Sequence, residues 1–297
     1  VDCYDIPESE IGFVQQDRCE YEGKKIVLIM AQSLLAREYP RDLFTYFGTV
    51  VVDEVHRFGA VEFRKVITMF PARYRIGLTA TPNRADGLEE VFFSHIGEIA
   101  VVGAKRRLVA TVQTVRSTLH PTQAHFRQMK DFRGQFNLTK VVSYLVEHEG
   151  RNRMIVGLLI RALQSGRKVM VLSGRRGHLK DLERLVKVEM MKQKERFTIG
   201  YYVGGMEERD LTISATRDLL LATYQMAQEG LDIPDLDTLF LVTPRGDVEQ
   251  AVGRILREAE NKKEPMVIDI VDPQIPICVG LYRKRMSQYK ETGSKII

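Results

Sequence analysis

The sequence predicts an α/β chain made of two tandem halves with parallel sheets, the first of them incomplete. Short β-branched runs alternate with stretches of helical periodicity along most of the chain. That alternating series occurs twice, with a less regular stretch over residues 97–136 between the two. The run Thr49–His56, Thr-Val-Val-Val-Asp-Glu-Val-His, reads as a parallel strand buried on both faces, because its β-branched residues follow one another without polar interruption.

In chain order, residues 1–24 are polar and irregular, punctuated by Pro7, Gly12 and Gly23. Ile26–Met30 is a short strand, and Gln32-Ser33-Leu34 opens a helix to Arg37. Asp42–Phe47 is a second short helix before the Thr49 strand. Glu62–Met69 is helical, and Arg75–Leu78 is a strand running into Thr79-Ala80-Thr81-Pro82. Glu98–Val102 and Leu108–Val115 read as strands on either side of a basic turn, Ala104-Lys105-Arg106-Arg107. Leu138–His148 and Arg153–Leu163 carry apolar residues at helical spacing. Strand Val169–Leu172, helix Leu179–Met190, and strands Thr198–Tyr202, Leu219–Ala222 and Thr238–Val242 follow. Helix Val248–Leu256 and strand Val267–Ile270 close the second series. The expected division is a first domain over residues 1–103 and a linker with a second domain over residues 104–297.

Composition narrows the class. Of 297 residues, 44% are apolar and 28% charged, a globular profile and not a disordered one. The length suits two domains, each able to bury a core. No apolar run is long enough to span a membrane and no signal peptide opens the chain, so a cytoplasmic protein is expected. Cys3, Cys19 and Cys278 are scattered, odd in number and without a CxxC, which suits reduced thiols. Lys and Arg exceed Asp and Glu by 44 − 39 = 5, a surplus that permits a polyanionic partner without demanding one.

Two segments carry chemistry. Asp53 and Glu54 end the Thr49 strand, and the carboxyl end of a strand is where open α/β sheets bind ligands. An acid there can hold magnesium, and its neighbour can orient a water for attack on a phosphate. A solvated surface turn is the plain alternative. Arg254 and Arg257 lie three apart on a predicted helix and so share a face. Paired guanidiniums suit a multiply charged anion such as a phosphate, against a solvated helix face as the plain alternative.

Taken together, these segments resemble the motifs of superfamily 2 helicases. Asp53-Glu54-Val55-His56 is similar to motif II and Thr79-Ala80-Thr81 to motif III. Val169–Arg175 stands in the place of motif IV, Thr223–Pro234 is similar to motif V, and Gln250–Arg257 to the Gln-x-x-Gly-Arg-x-x-Arg of motif VI. The text at residues 70–75 and 92–97 is most similar to the XPB and phage UvsW type of DNA helicase. The resemblance implies two RecA-like domains with ATP in the cleft between them and nucleic acid across both. Asp53, with Glu54 beside it, would form the Mg2+ site, and Glu54 would orient or deprotonate the hydrolytic water. Arg254 and Arg257 would act as arginine fingers, and Gln250 would sit near the γ-phosphate. Gly230, Asp232 and His56 would lie at the nucleotide, His56 also helping to couple the two sites. Thr79 and Thr81 would pass the nucleotide state to the nucleic-acid track. Gln32, Ser33, Ser173, Arg175 and Thr223 match positions that touch the strand's backbone. The implied activity is ATP-driven translocation along DNA or remodelling of branched DNA, as in repair and recombination, in a bacterial or phage-infected cell.

One departure is large. A phosphate loop needs Gly, four residues, then Gly-Lys and Ser or Thr. The only Gly-Lys is Gly23-Lys24, where Arg18 holds the first glycine position, Lys25 replaces the hydroxyl residue and a strand follows in place of a helix. The expectation is an N-terminally truncated chain, whose missing N-terminal segment carries the loop as a partner, and which binds ATP poorly. Beside the helicase reading stand a non-catalytic nucleic-acid-binding remnant and the motor subunit of a restriction system. A remnant has no reason to keep Glu54, Arg254 and Arg257 together. The 297-residue chain is therefore expected to show no DNA-stimulated ATP hydrolysis above background at any DNA concentration. Robust turnover in a clean preparation would mean that other residues hold the phosphates.

Overall fold

The computed structural model describes residues 6–55, 60–79, 90–102, 108–228, 233–256, 259 and 262–297. The chain divides into two compact units, Val1–Ala104 and Lys105–Ile297. Both are α/β, and the second is built on one large parallel sheet.

In the first unit, β1 (Ile11–Gln15) turns into β2 (Arg18–Cys19) as an antiparallel hairpin and pairs in parallel with β3 (Ile26–Ile29). This corrects the expectation of an irregular start. The alternation of Gly12 and Val14 facing inward is a strand signal, but the missing side chain at Gly12 hides it. Gly12 is required because the Glu20 carbonyl crosses so near that a Cβ would lie 1.9 Å from its oxygen. Helices α1 (Ala31–Ala36) and α2 (Arg41–Tyr46) follow, then β4 (Thr49–Val52), α3 (Ala60–Met69), β5 (Tyr74–Gly77) and α4 (Glu90–His95). β4 and β5 pair in parallel, with Val52 opposite Gly77.

β4 is not buried on both faces. Val50 and Val52 pack against Phe63, Ile67 and Phe92 of α3 and α4. Val51 points the other way and is 55% exposed, in line with Leu28 on β3 and Ile76 on β5. Among the described residues β4 pairs with β5 alone, and the helices cover one face. The expected strand over residues 98–102 is also absent: the segment is irregular, with Val101 and Val102 exposed. Apolar β-branched residues do not make a strand without a partner edge. The basic turn at residues 104–107 lies outside the described residues, apart from its place at the boundary of the units.

The second unit runs β6 (Thr111–Arg116), α5 (Gln123–Gln128), α6 (Leu138–Glu147), α7 (Glu149–Gln164), β7 (Val169–Ser173) and α8 (Arg176–Gln193). It continues with β8 (Ile199–Tyr202), α9 (Glu208–Ala215), β9 (Leu219–Thr223), α10 (Tyr224–Gln228), β10 (Thr238–Leu241) and α11 (Glu249–Ile255). β11 (Met266–Val271), α12 (Pro276–Glu291) and β12 (Lys295–Ile296) end it. The strand order is β12-β6-β11-β10-β7-β9-β8, with every pairing parallel. Both faces are covered. Val169, Val171, Leu221 and Phe240 face α7 and α8 through Ile155, Leu159, Leu179 and Leu182. Met170, Leu172, Leu220 and Leu239 face the other way, onto Ala227, Val252, Ile255 and Tyr289. Full burial of β7 and β10 is what their unbroken apolar text demands.

Helix α12 has no counterpart in the sequence-based reading. Its inward positions include Arg285, whose guanidinium donates to both oxygens of Asp269 on β11 at 2.9 and 2.8 Å. Tyr289, one turn on, donates its hydroxyl to the same carboxylate at 3.0 Å. An arginine in the stripe breaks the apolar periodicity by which helices are read, although the geometry is helical throughout.

Candidate active site and nucleic-acid interface

In the first unit the strand ends bring together three of the expected residues. The amide of Leu78 donates to the Val52 carbonyl at 2.9 Å, and that of Val55 to the Leu78 carbonyl at 3.0 Å. These bonds carry the β4–β5 pairing past the strands and set Asp53, Glu54 and Thr79 side by side. The buried side chain of Val55 plugs the turn into the core. Glu54 has φ 47°, a left-handed backbone that an L residue adopts at a cost of roughly 1–3 kcal/mol. Its amide donates to Asp53 Oδ1 at 2.9 Å, which offsets part of that strain. Asp53 and Thr79 are exposed and Glu54 is half-buried. Oxygen donors at a strand's carboxyl edge suit a hard cation that keeps most of its waters.

Gln32 and Ser33 open α1 directly after β3, Gln32 exposed. The Ser33 hydroxyl accepts from the Gln16 amide at 3.2 Å, where Gln16 is itself left-handed at φ 52°. His56 and Thr81 lie outside the described residues, as do Gly230, Asp232 and Arg257 in the second unit.

In the second unit the carboxyl ends of β6, β7, β10 and β11 are joined by a buried polar layer that the sequence did not announce. Arg151, on the first turn of α7, donates to both oxygens of Asp272 after β11 at 2.8 and 3.0 Å, and to the Val242 carbonyl after β10 at 2.8 Å. Ser117, just past β6, donates to Asp272 at 2.6 Å. Next in sequence, the Asn152 amide nitrogen donates to the Val146 carbonyl at 2.7 Å. That bond fixes the orientation of the amide, so the Asn152 carbonyl oxygen faces His178 Nε2 at 2.9 Å and accepts its proton. His178 Nδ1 is then an acceptor, and it takes the hydroxyl proton of Ser173 at 3.0 Å.

This layer corrects one expectation. Ser173 is fully buried, its hydroxyl turned inward to His178 while its oxygen accepts from the Arg175 amide at 3.2 Å. It shapes the loop after β7 and does not offer its side chain to a polymer. The same loop is held at Gly174, whose amide donates to the Thr243 hydroxyl at 2.8 Å. The Tyr224 hydroxyl in turn donates to the Thr243 carbonyl at 2.7 Å, so the ends of β7, β9 and β10 form one scaffold. On it stand Arg175, exposed, and Thr223, half-exposed. Gln250 and Arg254 lie on α11, both half-exposed. Burial raises the pKa of the Tyr202 phenol, and the charge of Arg254 opposes that rise. The sequence signal for the hidden layer was Arg151-Asn152 at inward positions of an otherwise apolar helix.

Residues 3–84 match the family model of the type III restriction enzyme, res subunit, and residues 150–259 that of the helicase conserved C-terminal domain. The chain is 32% identical over 265 residues to an inferred ATP-dependent RNA helicase of Acanthamoeba polyphaga mimivirus, covering 89% of this chain and 50% of that protein. It is 25% identical over 284 residues to an inferred helicase of Escherichia phage T5, covering 91% and 59%. The chain thus spans 50% and 59% of the length of these two viral relatives. Its fold is like that of a fragment of an inferred HsdR subunit of a type I restriction enzyme from Vibrio vulnificus, with TM-score 0.61, 19% identity and coverage of 88% and 50%. It is also like that of Mycobacterium smegmatis helicase Lhr bound to single-stranded DNA and AMP-PNP, with TM-score 0.57, 17% identity and coverage of 94% and 37%. The architecture is that of tandem RecA-like domains.

The polar layer carries a pH signature. Burial, and to a lesser degree the nearby Arg151 charge, push His178 from an ordinary 6.5 down to about 3. Between those values the unfolded chain takes up a proton that the folded chain refuses. Stability from this group is therefore complete above pH 6.5 and declines as pH falls toward 3. At pH 5 the loss is about 2 kcal/mol relative to pH 7. His178→Gln is expected to flatten that part of the stability–pH curve in urea unfolding between pH 7 and 5. Equal slopes for parent and variant would show that His178 does not carry it.

Proposed function

We propose that this chain belongs to an ATP-driven superfamily 2 helicase-type motor that moves along nucleic acid, with DNA as its track. The observation that carries the reading is the acid pair at the carboxyl end of β4, Asp53 exposed and Glu54 turned by its left-handed backbone. A surface turn has no need of a strained residue bearing a second carboxylate, whereas nucleotide hydrolysis uses both. In this reading Asp53 holds Mg2+ through an oxygen, which suits an ion that needs one or two carboxylates and its own waters. The ion, when bound with ATP, supplies charge neutralisation at the phosphates. Glu54 orients and deprotonates the attacking water. Arg254 and Arg257 supply positive charge to the transferring phosphoryl group, an effect on the order of 10³ to 10⁵ in rate in related reactions. Gln250 lies one helical turn before Arg254 on α11. Gly230, Asp232 and His56 contact the nucleotide, and Thr79 and Thr81 couple its state to the track. Gln32, Ser33, Arg175 and Thr223 contact the backbone of the strand.

In a version of the protein that carries a phosphate loop, Glu54→Gln is expected to keep ATP and DNA binding and to lose turnover, because the base is removed while its shape is kept. Turnover within about threefold of the parent, a change of only ~0.7 kcal/mol in the barrier, would sink the assignment.

The track groups are small hydroxyl, amide and basic side chains, which suit phosphates and sugars and carry no base information. The formal charge of +5 allows only a few phosphates to be neutralised. Binding is therefore expected to be sequence-independent, with a salt slope of about −3. Arg175→Ala is expected to reduce that slope by about one and to weaken all sequences alike. Titrations of two unrelated sequences at several salt concentrations measure this. Strong discrimination between the sequences, or indifference to salt, would favour a regulatory binder. DNA rests on the likeness of residues 70–75 and 92–97 to the XPB and UvsW type. RNA is the second reading, favoured by the description of the mimivirus relative. Running the same titration with DNA and RNA of one sequence separates them.

A further inference from the structure

The turn between α5 and α6 presents a feature that the motor reading leaves unused. Lys130 and Phe136 form an antiparallel bridge, and the Asp131 amide donates to the Gln135 carbonyl at 2.8 Å. Asp131 Oδ1 accepts from the amides of Arg133 at 2.9 Å and Gln135 at 3.0 Å. Gly134 closes the turn at φ 75°, a conformation that favours glycine. The base is anchored below: the Asn137 amide donates to the carbonyl of fully buried Met129 at 2.9 Å, and Phe136 packs on the same cluster. Lys140 Nζ donates to the Lys130 carbonyl at 2.8 Å. The loop is thus braced at every level, yet its tip residue, Phe132, is 92% exposed.

A phenyl ring in water on a braced turn contributes nothing to the core, and it forgoes the benefit of burial. Two cations lie on the same turn and the helix after it, beside one carboxylate, Asp131, whose Oδ1 is taken up by the amides of Arg133 and Gln135. The Arg133 guanidinium lies over the ring at 5.2 Å, and Lys140 is exposed nearby on the first turn of α6. The turn is also joined to the track. The Arg175 guanidinium lies 3.5 Å from the Thr139 carbonyl oxygen, next to Lys140. An exposed aromatic face among cations, beside a phosphate-binding candidate, matches the chemistry of an unpaired nucleobase and its backbone.

We propose that Phe132 is a stacking platform for an unpaired base of a single-stranded stretch, with Arg133 and Lys140 taking the adjacent phosphates. The proposal rests on the reading of the chain as a nucleic-acid motor. Stacking on a ring is tolerant of sequence, because every base has a π-face, so it does not conflict with a track that ignores base identity. Bases inside a duplex are already stacked, so the platform distinguishes single strands from duplexes.

The test is fluorescence anisotropy of the 297-residue chain with labelled 12-mers, single-stranded DNA, single-stranded RNA and a blunt duplex. Phe132→Ala is expected to weaken single-strand binding about 5- to 150-fold, the range for loss of one stacked base. Duplex affinity and the salt slope should not change. Phe132→Tyr and Phe132→Trp should restore binding, and Phe132→Leu should not. Arg133→Ala should lower the salt slope by about one. If Phe132→Ala leaves single-strand binding within about twofold of the parent while Arg175→Ala weakens it, the platform is overturned and the motor reading stands. Equal weakening of single strand and duplex also overturns it, by assigning the ring to loop structure. A parent chain that binds none of the three overturns the motor reading and the platform together, and leaves the ring to a protein partner.

Discussion

The second unit depends on one buried ion pair. Arg151 and Asp272 are 121 residues apart in sequence, and both side chains are almost wholly shielded from water. Removing one partner of such a pair leaves an uncompensated charge and costs about 3–5 kcal/mol, whereas the intact pair adds little over an apolar replacement. Its value lies in specifying geometry. Parallel strands of similar register end together, and their terminal polar groups must find partners or water. Arg151 takes the Val242 carbonyl as well as Asp272, and Ser117 completes the carboxylate. Asn152, fixed by the same turn of helix, passes the constraint to His178 and Ser173. The loop that carries Arg175 is therefore positioned by a helix start and a strand end distant in sequence.

The first unit meets the same requirement with fewer partners. Its acid pair is held by backbone bonds between the ends of β4 and β5, by Val55 in the core, and by the Asp53 cap on the Glu54 amide. Backbone strain in this unit sits at two turn residues, Gln16 after β1 and Glu54 in the acid pair, the latter in line with the tendency of functional turns to hold unusual backbone geometry. Leu28 on β3, Val51 on β4 and Ile76 on β5 are exposed, while α3 and α4 cover the other side of β4 through Phe63, Ile67 and Phe92.

A division of labour follows between side chains at strand ends. Those that are buried, Ser173, Thr243 and Asp272, set loop shape; those that are exposed, Asp53, Arg175 and Thr79, are available for chemistry. A motif match does not separate the two groups. Ser173 and Arg175 stand two residues apart in one motif, yet one faces His178 and the other faces water. Exposure decides which residue can meet a ligand.

The alternation of strands and helices, the parallel class and the position of Asp53 and Glu54 at a strand's end were all legible in the amino-acid order. Those are local properties: β-branched runs favour strands, period 3.6 marks helices, and an acid pair after an apolar run marks the strand's edge. That β4 is covered on one face, that Gly12 lies in a strand and that α12 turns an arginine inward emerge only from the folded chain. Each depends on a partner outside the element itself: α3 and α4 for β4, the Glu20 carbonyl for Gly12, Asp269 for Arg285. The same is true of His178, whose depressed pKa follows from burial beside Arg151. Burying a polar group is costly until its partner arrives, and no local pattern in the chain states where that partner will be.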